Sequence, residues 1–222
     1  MGNIKEDRLF YERKLLLNEK LYPIAGVDEA GRGPLAGPVA VAAVVLPRAW
    51  IEDGMPEFLR DVNDSKKLSE TARERLYNEI QACPEIIKSV VILSSEQIDQ
   101  LNILRATHQG MLLALEGLVS QECVPQHVLV DGCDVKAITY PHTAIVKGDA
   151  KSYSIAAASI LAKVERDHIM MEYDKQWPEY GFAQHKGYGT ENHRAVLKKY
   201  GLCPIHRRTF VHLEEQGELN LF

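Results

Sequence analysis

The sequence predicts one α/β domain of 222 residues with a helical C-terminal extension. Short apolar runs typical of buried strands alternate with longer segments that carry apolar residues at helical spacing. The composition, 45% hydrophobic and 26% charged, is that of an ordinary globular protein. No internal repeat or low-complexity linker divides the chain. We therefore expect a catalytic core over about residues 21–190 and an extension over residues 191–222.

The first half of the chain predicts elements whose ends carry clear signals. In order, they are a helix at 5–20, strands at 24–27 and 39–46, a loop at 47–64, a helix at 69–82 and a strand at 86–93. Two prolines and a glycine within residues 47–64 are the reason for predicting a loop there. Ser69 is the predicted N-cap of the following helix, and Pro84 ends that helix.

The second half of the chain, from residue 94 onward, predicts further helices and strands in alternation. In order, it comprises one helix at 94–118, short strands at 128–130 and 144–146, a long helix at 152–175, an irregular aromatic and glycine-rich segment at 177–190, a basic helix at 191–200 and a tail. Ser94 and Gln97 have the spacing of a capping box. The small residues between Ala156 and Ala162 permit close packing of the long helix.

Charge and cysteine usage limit the classes of function. A net charge of −5 argues mildly against a general polyanion binder, although a local basic patch is compatible with it. No apolar run approaches the ~18–20 residues of a membrane span. The four cysteines form neither a C-x-x-C pair nor a Cys/His metal spacing: Cys83, Cys123, Cys133 and Cys203. We expect free thiols, a cytoplasmic location and a monomer.

Three predicted strands end in acidic residues, namely Asp28 with Glu29, Asp131, and Asp149. Because functional sites gather at strand ends in open α/β sheets, these carboxylates are expected to converge. Four carboxylates in one small site repel each other unless cations compensate them. An all-oxygen cluster favours Mg²⁺ or Mn²⁺ over zinc, and two such ions suit phosphodiester hydrolysis.

The same residues also have purely structural interpretations, which the sequence leaves open. Asp149 precedes a predicted helix and is a candidate cap, while Asp131 with Gly132 is a candidate turn. Next to the first acid pair, Gly31 and Gly33 flank Arg32 and remove side-chain bulk. Main-chain amides there are expected to approach a phosphate or a sugar closely.

At this point the residues resemble a known family, bacterial ribonuclease HII. The matching motifs run in order over roughly residues 21–190: Val27-Asp28-Glu29-Ala30-Gly31-Arg32-Gly33-Pro34-Leu35-Ala36-Gly37-Pro38-Val39, Asp64-Ser65-Lys66-Lys67-Leu68, Val130-Asp131-Gly132, Lys147-Gly148-Asp149, Ala157-Ala158-Ser159-Ile160-Leu161-Ala162-Lys163-Val164 with Arg166-Asp167, and His185-Lys186-Gly187-Tyr188-Gly189-Thr190. Arg32 and the short N-terminus favour this type over the sister type, ribonuclease HIII.

The resemblance implies a fold and an activity. The fold is ribonuclease H-like, with a mixed five-stranded sheet flanked by helices. The activity is metal-dependent endonucleolytic cleavage of the RNA strand of RNA–DNA hybrids, together with nicking of DNA duplexes 5′ of an embedded ribonucleotide. The products carry 3′-hydroxyl and 5′-phosphate ends, as ribonucleotide excision repair and DNA replication require. Two ions, Mg²⁺ or Mn²⁺, are expected to act in the family's two-metal mechanism.

The resemblance also assigns residues to roles. The four catalytic, metal-binding acids of the family map onto Asp28, Glu29, Asp131 and Asp149. Its glycine–arginine–glycine motif maps onto Gly31, Arg32 and Gly33, whose main chain contacts the 2′-hydroxyl at the RNA–DNA junction, the group that distinguishes RNA from DNA. Its junction tyrosine maps onto Tyr188.

Further substrate contacts follow by position in these motifs. The candidates for phosphate binding are Lys66, Lys67, Ser152 and Lys163, against solvated lysines and a helix-capping serine as the alternative. Asp167 is expected to pair with Arg166 or a neighbour on the surface, and His185 to touch the nucleic-acid backbone or nothing. A basic set is a candidate duplex-binding face or a solvated helix face: Arg194, Lys198, Lys199, Arg207 and Arg208.

The C-terminal tail carries a separate signal. Leu219, Asn220, Leu221 and Phe222 resemble the end of the pentapeptide that binds the bacterial sliding clamp, with Glu218 where that motif usually has Gln. Apolar residues in a polar tail suit a peptide that enters a hydrophobic groove. The alternative is a tail that packs on its own domain.

Two other functions compete with the ribonuclease interpretation. One is a nuclease of the same fold class, such as a resolvase, that ignores the 2′-hydroxyl; Gly31, Arg32, Gly33 and Tyr188 argue against it. The other is a non-catalytic nucleic-acid or clamp adaptor. The presence of all four acids argues against the adaptor.

Overall fold

A central sheet of five strands organises the molecule. The computed structural model describes residues 7–60, 62, 68–213 and 219–221, with side chains up to residue 211. The strands are β1 Ile24–Ala30, β2 Val39–Val45, β3 Ile87–Leu93, β4 His127–Asp131 and β5 His142–Ile145, with a separate pair β6 Val211–Leu213 and β7 Leu219–Leu221. The sheet order is β3-β2-β1-β4-β5.

The sheet is mixed, as predicted. β1 pairs antiparallel with β2, and β2 pairs antiparallel with β3. β4 lies parallel to β1 and to β5. The pairing of Val27 with Val130 means that the next residues along these neighbouring strands, Asp28 and Asp131, reach the same edge. Strand register therefore brings two of the predicted acids together.

Helices cover both faces of the sheet. The α-helices are α1 Phe10–Leu16, α2 Arg48–Asp53, α3 Glu57–Arg60, α4 Glu70–Ala82, α5 Ser95–Leu101, α6 Ile103–Val119, α7 Tyr153–Gln176, α8 Phe182–His185 and α9 Glu191–Tyr200, and short 3-10 turns span Glu19–Leu21, Gly148–Ala150 and Pro178–Tyr180. α7 packs against β1 and β2 on one face, and α6 packs against β2 and β3 on the other. No helix among the described residues is long and apolar enough to cross a membrane.

The period-two alternation of β2 divides the core into two layers. Alternate side chains of this strand join the buried cluster beneath α7 or the one beneath α6, namely Ala40, Ala42 and Val44 in the first and Val41, Ala43 and Val45 in the second. On β1, Gly26 allows the closest approach of a helix, because a Cβ there would lie 2.3 Å from the main-chain carbon of Ser154. The start of α7 is therefore seated directly on β1, two residues before Asp28.

Several predicted elements are confirmed. Ser69 caps α4, Ser94 and Gln97 form the predicted capping box, and Ser152 caps α7. The predicted basic helix at 191–200 is α9. All four cysteines are free thiols.

Two predictions about local structure are wrong. Residues 47–64 are not simply a loop, because α2 and α3 form there around the buried side chains of Ile51 and Leu59. The single helix predicted after Ser94 is two helices, which Asn102 separates with a left-handed φ of 67° while its side chain caps α6. Part of the predicted tail after residue 200 is strand, because β6 and β7 form an antiparallel pair there.

Candidate active site

The first pair of acids lies within β1 rather than in the turn after it. The strand continues through Asp28 and Glu29 to Ala30, so the predicted end of this strand at residue 27 is wrong. Adjacent residues of a strand point to opposite faces. Asp28 is 6% exposed, and its Oδ1 accepts a hydrogen bond from the Glu29 amide at 2.7 Å.

The second pair of acids comes from β4 and from the turn after β5. Asp131 is the last residue of β4, and its Oδ1 accepts a hydrogen bond of 2.6 Å from the amide of Gly148. Asp149 directly follows Gly148 in the chain, and its side chain is buried. Gly148 has no room for a side chain, since a Cβ would lie 2.6 Å from Ile155 and 3.2 Å from Asp131 Oδ1. A main-chain contact thus links the two strand ends that carry these acids.

The turn that carries Asp149 is fixed by the N-terminal segment. The Arg8 guanidinium donates to the main-chain carbonyls of Asp149 at 2.8 Å and Ala150 at 3.1 Å, and also to that of Val62. Four residues later, the Glu12 carboxylate accepts hydrogen bonds from Ser152 and Ser154 at the start of α7. Residues outside every motif of the resemblance therefore position the Asp149 turn.

Burial and neighbouring charges determine the electrostatics of Asp28. Burial, reinforced by the negative charges of Glu29 and Asp131, raises the pKa of Asp28 well above its ordinary value. Hydrogen bonds from the Glu29 amide and the Ser159 side chain act on this pKa in the opposite direction. A buried carboxyl group next to two further carboxylates is the environment that a bound cation stabilises.

The donor set fits a hard divalent cation. All the ligand atoms that these acids offer are carboxylate oxygens, which suit Mg²⁺ and Mn²⁺. Within the described part of the chain, no three His, Cys, Asp or Glu side chains converge closely enough to hold an ion on their own. Mg²⁺ is usually bound by one or two carboxylates and completes its shell with water and substrate phosphate, which is consistent with this open arrangement.

A cleft of about 370 Å³ adjoins the acids of β1. Its lining comprises Asp28, Glu29, Ala30, Gly31, Arg32, Gly33, Ser159, Lys163, Arg166 and Tyr188. Arg32 forms an ion pair of 3.3 Å with Glu29, and Tyr188 is 46% exposed. The structure thus brings the predicted glycine–arginine–glycine segment and the predicted tyrosine to one opening.

The two glycines of this segment serve different purposes. Gly31 has φ of +96°, and a Cβ there would lie 2.0 Å from Arg166 Nε, so only glycine fits. At Gly33, a Cβ would meet only Tyr188, at 3.9 Å. Gly31 is therefore required by the protein interior, whereas Gly33 leaves the main chain open to the cleft.

Arg207 is not part of a duplex-binding surface, so this prediction is wrong. Its side chain is completely buried and donates to the main-chain carbonyls of Gly31, Arg32, Gly37 and Pro38 at 2.6–3.1 Å. The remaining members of the basic set are exposed: Arg194, Lys198, Lys199 and Arg208. The extension therefore packs into the core against residues 31–38, which we call the glycine loop.

Other predicted contacts have mixed outcomes. Ser152 is fully buried, caps α7 and donates to Glu12 Oε1 at 2.5 Å, so it cannot reach a phosphate and that prediction is wrong. Lys163 lines the cleft and pairs with Asp167 at 2.7 Å. Asp167 is accordingly buried and paired one helical turn away, not with Arg166. Lys66 and Lys67 lie outside the described residues.

His185 is buried as well and does not face a substrate. Its Nε2 contacts the Tyr180 carbonyl at 2.8 Å, and its Nδ1 accepts from the Gly187 amide at 3.1 Å. Its ring stacks on that of His193 at 4.3 Å. His185 supports the loop that carries Tyr188.

Sequence reasoning missed the residues that hold the site in place. Arg8, Glu12, Arg166 and Arg207 are all charged and all bonded to main chain or to buried hydroxyls, but their charge suggested surface positions. Arg166 alone carried signals, namely its place in a motif of the resemblance and its position on the helix face of the small residues that pack against β1. The placement of the others depends on contacts with residues more than 100 positions away in sequence.

Comparison with known proteins identifies related chains. A family model for ribonuclease HII matches residues 25–213. The ribonuclease HII of Caldanaerobacter subterraneus subsp. tengcongensis is 50% identical over 206 residues, 93% of this chain and 80% of the relative. That of Ruminiclostridium cellulolyticum is 49% identical over 203 residues, covering 91% of this chain and 75% of the relative.

Solved structures show the same fold. The ribonuclease H2 of Pyrococcus horikoshii OT3 superposes with a TM-score of 0.68 at 31% identity, covering 84% of this chain and 92% of that one. A ribonuclease HII from Archaeoglobus fulgidus, solved in complex with PCNA, gives 0.66 at 28% identity, with 83% and 92% covered. The predicted mixed five-stranded fold with flanking helices is confirmed.

Proposed function

The chain belongs to the ribonuclease HII family, metal-dependent ribonucleases that cleave the RNA strand of RNA–DNA hybrids, and we propose that it also nicks duplex DNA on the 5′ side of a single embedded ribonucleotide. The observation that carries this proposal is the cleft at the end of β1. It joins carboxylates to a glycine loop and a half-exposed tyrosine, so hydrolytic groups and a ribose-reading segment share one opening.

We assign the catalytic role to Asp28, Glu29, Asp131 and Asp149. Two divalent cations, Mg²⁺ or Mn²⁺, would be held by these four carboxylates and would supply water activation and charge stabilisation at the leaving oxygen. The protein's own part is to hold the carboxylates in register. It does so with the parallel pairing of β1 and β4 and with the Gly148 amide on Asp131. Hydrolysis 5′ of the ribonucleotide leaves a 3′-hydroxyl and a 5′-phosphate.

We assign recognition of the ribonucleotide to Gly31, Arg32, Gly33 and Tyr188. Gly33 has no side chain between its main chain and the cleft, so an amide there can approach a 2′-hydroxyl. The half-exposed ring of Tyr188 offers a stacking surface for the nucleotide at the junction. Lys163, at the same cleft, is assigned to a backbone phosphate.

One duplex assay tests the proposal. The purified protein is incubated with Mg²⁺ or Mn²⁺ and a DNA duplex that contains one ribonucleotide, beside an all-DNA duplex. We expect a single nick 5′ of the ribonucleotide, which disappears with chelator and in Asp131→Asn. Cleavage of both duplexes would favour a nuclease that ignores the 2′-hydroxyl. No cleavage by the folded, metal-supplied protein would favour the adaptor.

We further propose that the tail, residues 218–222, binds a sliding clamp. Its apolar residues and the PCNA complex of the Archaeoglobus relative support this. The main chain of β7 pairs with β6, so a clamp groove would compete with β6 for the tail. Deleting residues 218–222 should abolish capture by bacterial sliding clamp while nicking persists. Unchanged capture after the deletion would refute this role.

A further inference from the structure

Two buried arginines meet beneath the glycine loop. Arg166, on α7, is 1% exposed, and Arg207, in the extension, is 0% exposed. Arg166 donates to the carbonyls of Pro38 at 2.9 Å, Ala36 at 3.2 Å and Lys186 at 3.0 Å. All acceptors of Arg207 are likewise main-chain carbonyls of the loop region. The two guanidinium groups therefore bind this segment through its backbone.

The direction of these hydrogen bonds fixes the direction of the loop amides. Arg207 draws the carbonyl of Gly31 inward at 2.6 Å and that of Arg32 at 2.9 Å. In a planar trans peptide, the carbonyl and the following amide point in opposite directions. The amides of Arg32 and Gly33 are thus directed away from Arg207. Within the described part of the chain, no main-chain hydrogen bond occupies those two amides.

Burying a guanidinium group is unfavourable unless it gains strong hydrogen bonds. Burial, together with the charge of Arg166, lowers the pKa of Arg207 to about 9. The same guanidinium makes four hydrogen bonds to carbonyls that its planar fork can reach simultaneously. A purely apolar side chain would join the extension to the core without these directed bonds, and would leave the loop carbonyls unpaired.

Arg166 also contacts the loop that carries Tyr188. Arg166 donates to Lys186, two residues before Tyr188, and its guanidinium carbon lies 6.0 Å from the centre of the Tyr188 ring. The amide of Leu35 donates to the carbonyl of Gly187 at 2.8 Å. Two contacts therefore join the glycine loop to the loop with the tyrosine: the hydrogen bonds of Arg166 and the direct bond between Leu35 and Gly187.

We propose that Arg166 and Arg207 are positioning residues for ribonucleotide recognition. Arg207 turns the carbonyls of Gly31 and Arg32 inward, so that the Arg32 and Gly33 amides face the 2′-hydroxyl. Arg166 holds the adjoining segment and the loop of Tyr188 through the carbonyls of Pro38, Ala36 and Lys186. This inference rests on the proposed function, because it concerns how the same cleft distinguishes RNA from DNA. Both arginines act through the loop, since both side chains are buried.

The test measures the ratio of two affinities, that for a duplex with one ribonucleotide divided by that for the all-DNA duplex. It uses the Asp131→Asn background, where the substrate is not consumed. Affinity is measured for a duplex with one ribonucleotide and for the same duplex in all-DNA form. Arg207→Lys keeps the charge but cannot span the four carbonyls. Arg208→Lys changes the exposed neighbour and is the matched control. Circular dichroism and thermal unfolding establish that each variant is folded.

We expect Arg207→Lys to reduce the ratio about tenfold, with all-DNA affinity changed less than about twofold, because the loop loses its directed bonds. Arg208→Lys should leave the ratio unchanged. An unchanged ratio in folded Arg207→Lys overturns the inference and restricts Arg207 to joining the extension to the core. Equal affinities for both duplexes in the Asp131→Asn parent would instead overturn the proposed 2′-hydroxyl recognition itself.

A measurement on the unaltered loop decides the matter if Arg207→Lys does not fold. Hydrogen exchange of residues 31–33 is followed in the Asp131→Asn protein with each duplex. We expect protection of the Arg32 and Gly33 amides by the ribonucleotide duplex and much less by the all-DNA duplex. Equal protection by both duplexes, or by neither, would contradict the orientation that we assign to these amides.

Discussion

Opposite charges hold the two halves of the proposed site, which are the acidic edge with Asp28 and Asp131 and the glycine loop. At the acidic edge, carboxylates accept hydrogen bonds from main-chain amides, as Asp28 does from Glu29 and Asp131 from Gly148. At the glycine loop, buried guanidinium groups donate to main-chain carbonyls, as Arg207 does to Gly31. In the proposed function, the edge collects negative charge for a cation, whereas the loop leaves its amides for a hydroxyl oxygen.

This difference predicts how substitutions in each half affect substrate discrimination and the cleavage reaction. The acidic edge depends on the register of adjacent strands and on a contact between Gly148 and Asp131, which are 17 positions apart. The loop depends on a residue of the extension, 176 positions away from Gly31. Changes in the extension are therefore expected to alter substrate discrimination before they alter the chemistry, while changes at the edge do the reverse.

The largest expected effect comes from the acidic edge. Asp131→Asn should lower the single-turnover nicking rate by on the order of 10³-fold, because it removes a charge that we propose holds the cation. The free energy of unfolding should not fall, since the change also removes repulsion on Asp28. Rates are measured by gel and stability by urea unfolding. Activity within a few-fold of wild type would remove Asp131 from the site.

Acid should weaken the support of the glycine loop through two buried histidines. His206 Nε2 lies 3.1 Å from His193 Nε2, and His193 Nδ1 lies 3.0 Å from the Tyr188 carbonyl. The Cys203 amide donates to His206 Nδ1, so His206 Nε2 carries the proton and both rings are neutral. Burial lowers the pKa of His193 and His206 to about 4, and their mutual proximity contributes for His206.

The sign of the pH effect follows from these depressed pKa values. Between pH 6.5 and about 4, the unfolded chain binds protons that the folded protein excludes. The contribution of these histidines to the free energy of unfolding should therefore fall by about 1.5 kcal/mol from about pH 6.5 to about pH 5, counting one of the two groups. The raised pKa of Asp28 acts with the opposite sign, so the histidine contribution is the difference between wild type and a histidine variant. Urea unfolding at both pH values measures it. A His193→Gln variant should lose part of this dependence; an identical pH profile would exclude the pair as its source.

A smaller effect is expected at the ring that borders the loop. Tyr188→Ala should lower nicking at a single ribonucleotide about tenfold, because it removes the half-exposed ring that we propose stacks on the nucleotide. Long RNA–DNA hybrids should be affected less, since they offer many junction-independent positions. Tyr188→Phe keeps the ring and should restore most of the rate. Equal losses on both substrates would refute a junction role.

The smallest effect is expected at the lysine between the two halves. Lys163→Met removes the cation that lines the cleft and pairs with Asp167. If Lys163 binds one backbone phosphate, duplex affinity should fall and its logarithmic salt dependence should become shallower by about 0.9. Binding at several salt concentrations measures the slope. An unchanged slope would restrict Lys163 to its ion pair.

Local signals accounted for the acids and for most helix ends. A serine before a helical pattern predicts a cap wherever the chain folds, as Ser69 and Ser94 show. Strand-end acids were identifiable because their strands are buried and their neighbours apolar. The boundary of β1 was misplaced by three residues because pairing with β2 carries the strand through Asp28 and Glu29, although acidic side chains have low strand propensity.

Charge by itself gave no information about burial. Arg207 and Arg208 are adjacent and identical in type, yet the first is completely buried and the second is exposed. Asp167 pairs with Lys163 because residues four apart share a helix face, whereas the adjacent Arg166 points toward the loop. The sequence by itself determined the acids, the glycine motif and the order of elements, since these depend on local pattern. Only the tertiary structure decided which charged side chains hold the site, because their partners are carbonyls supplied by distant parts of the chain.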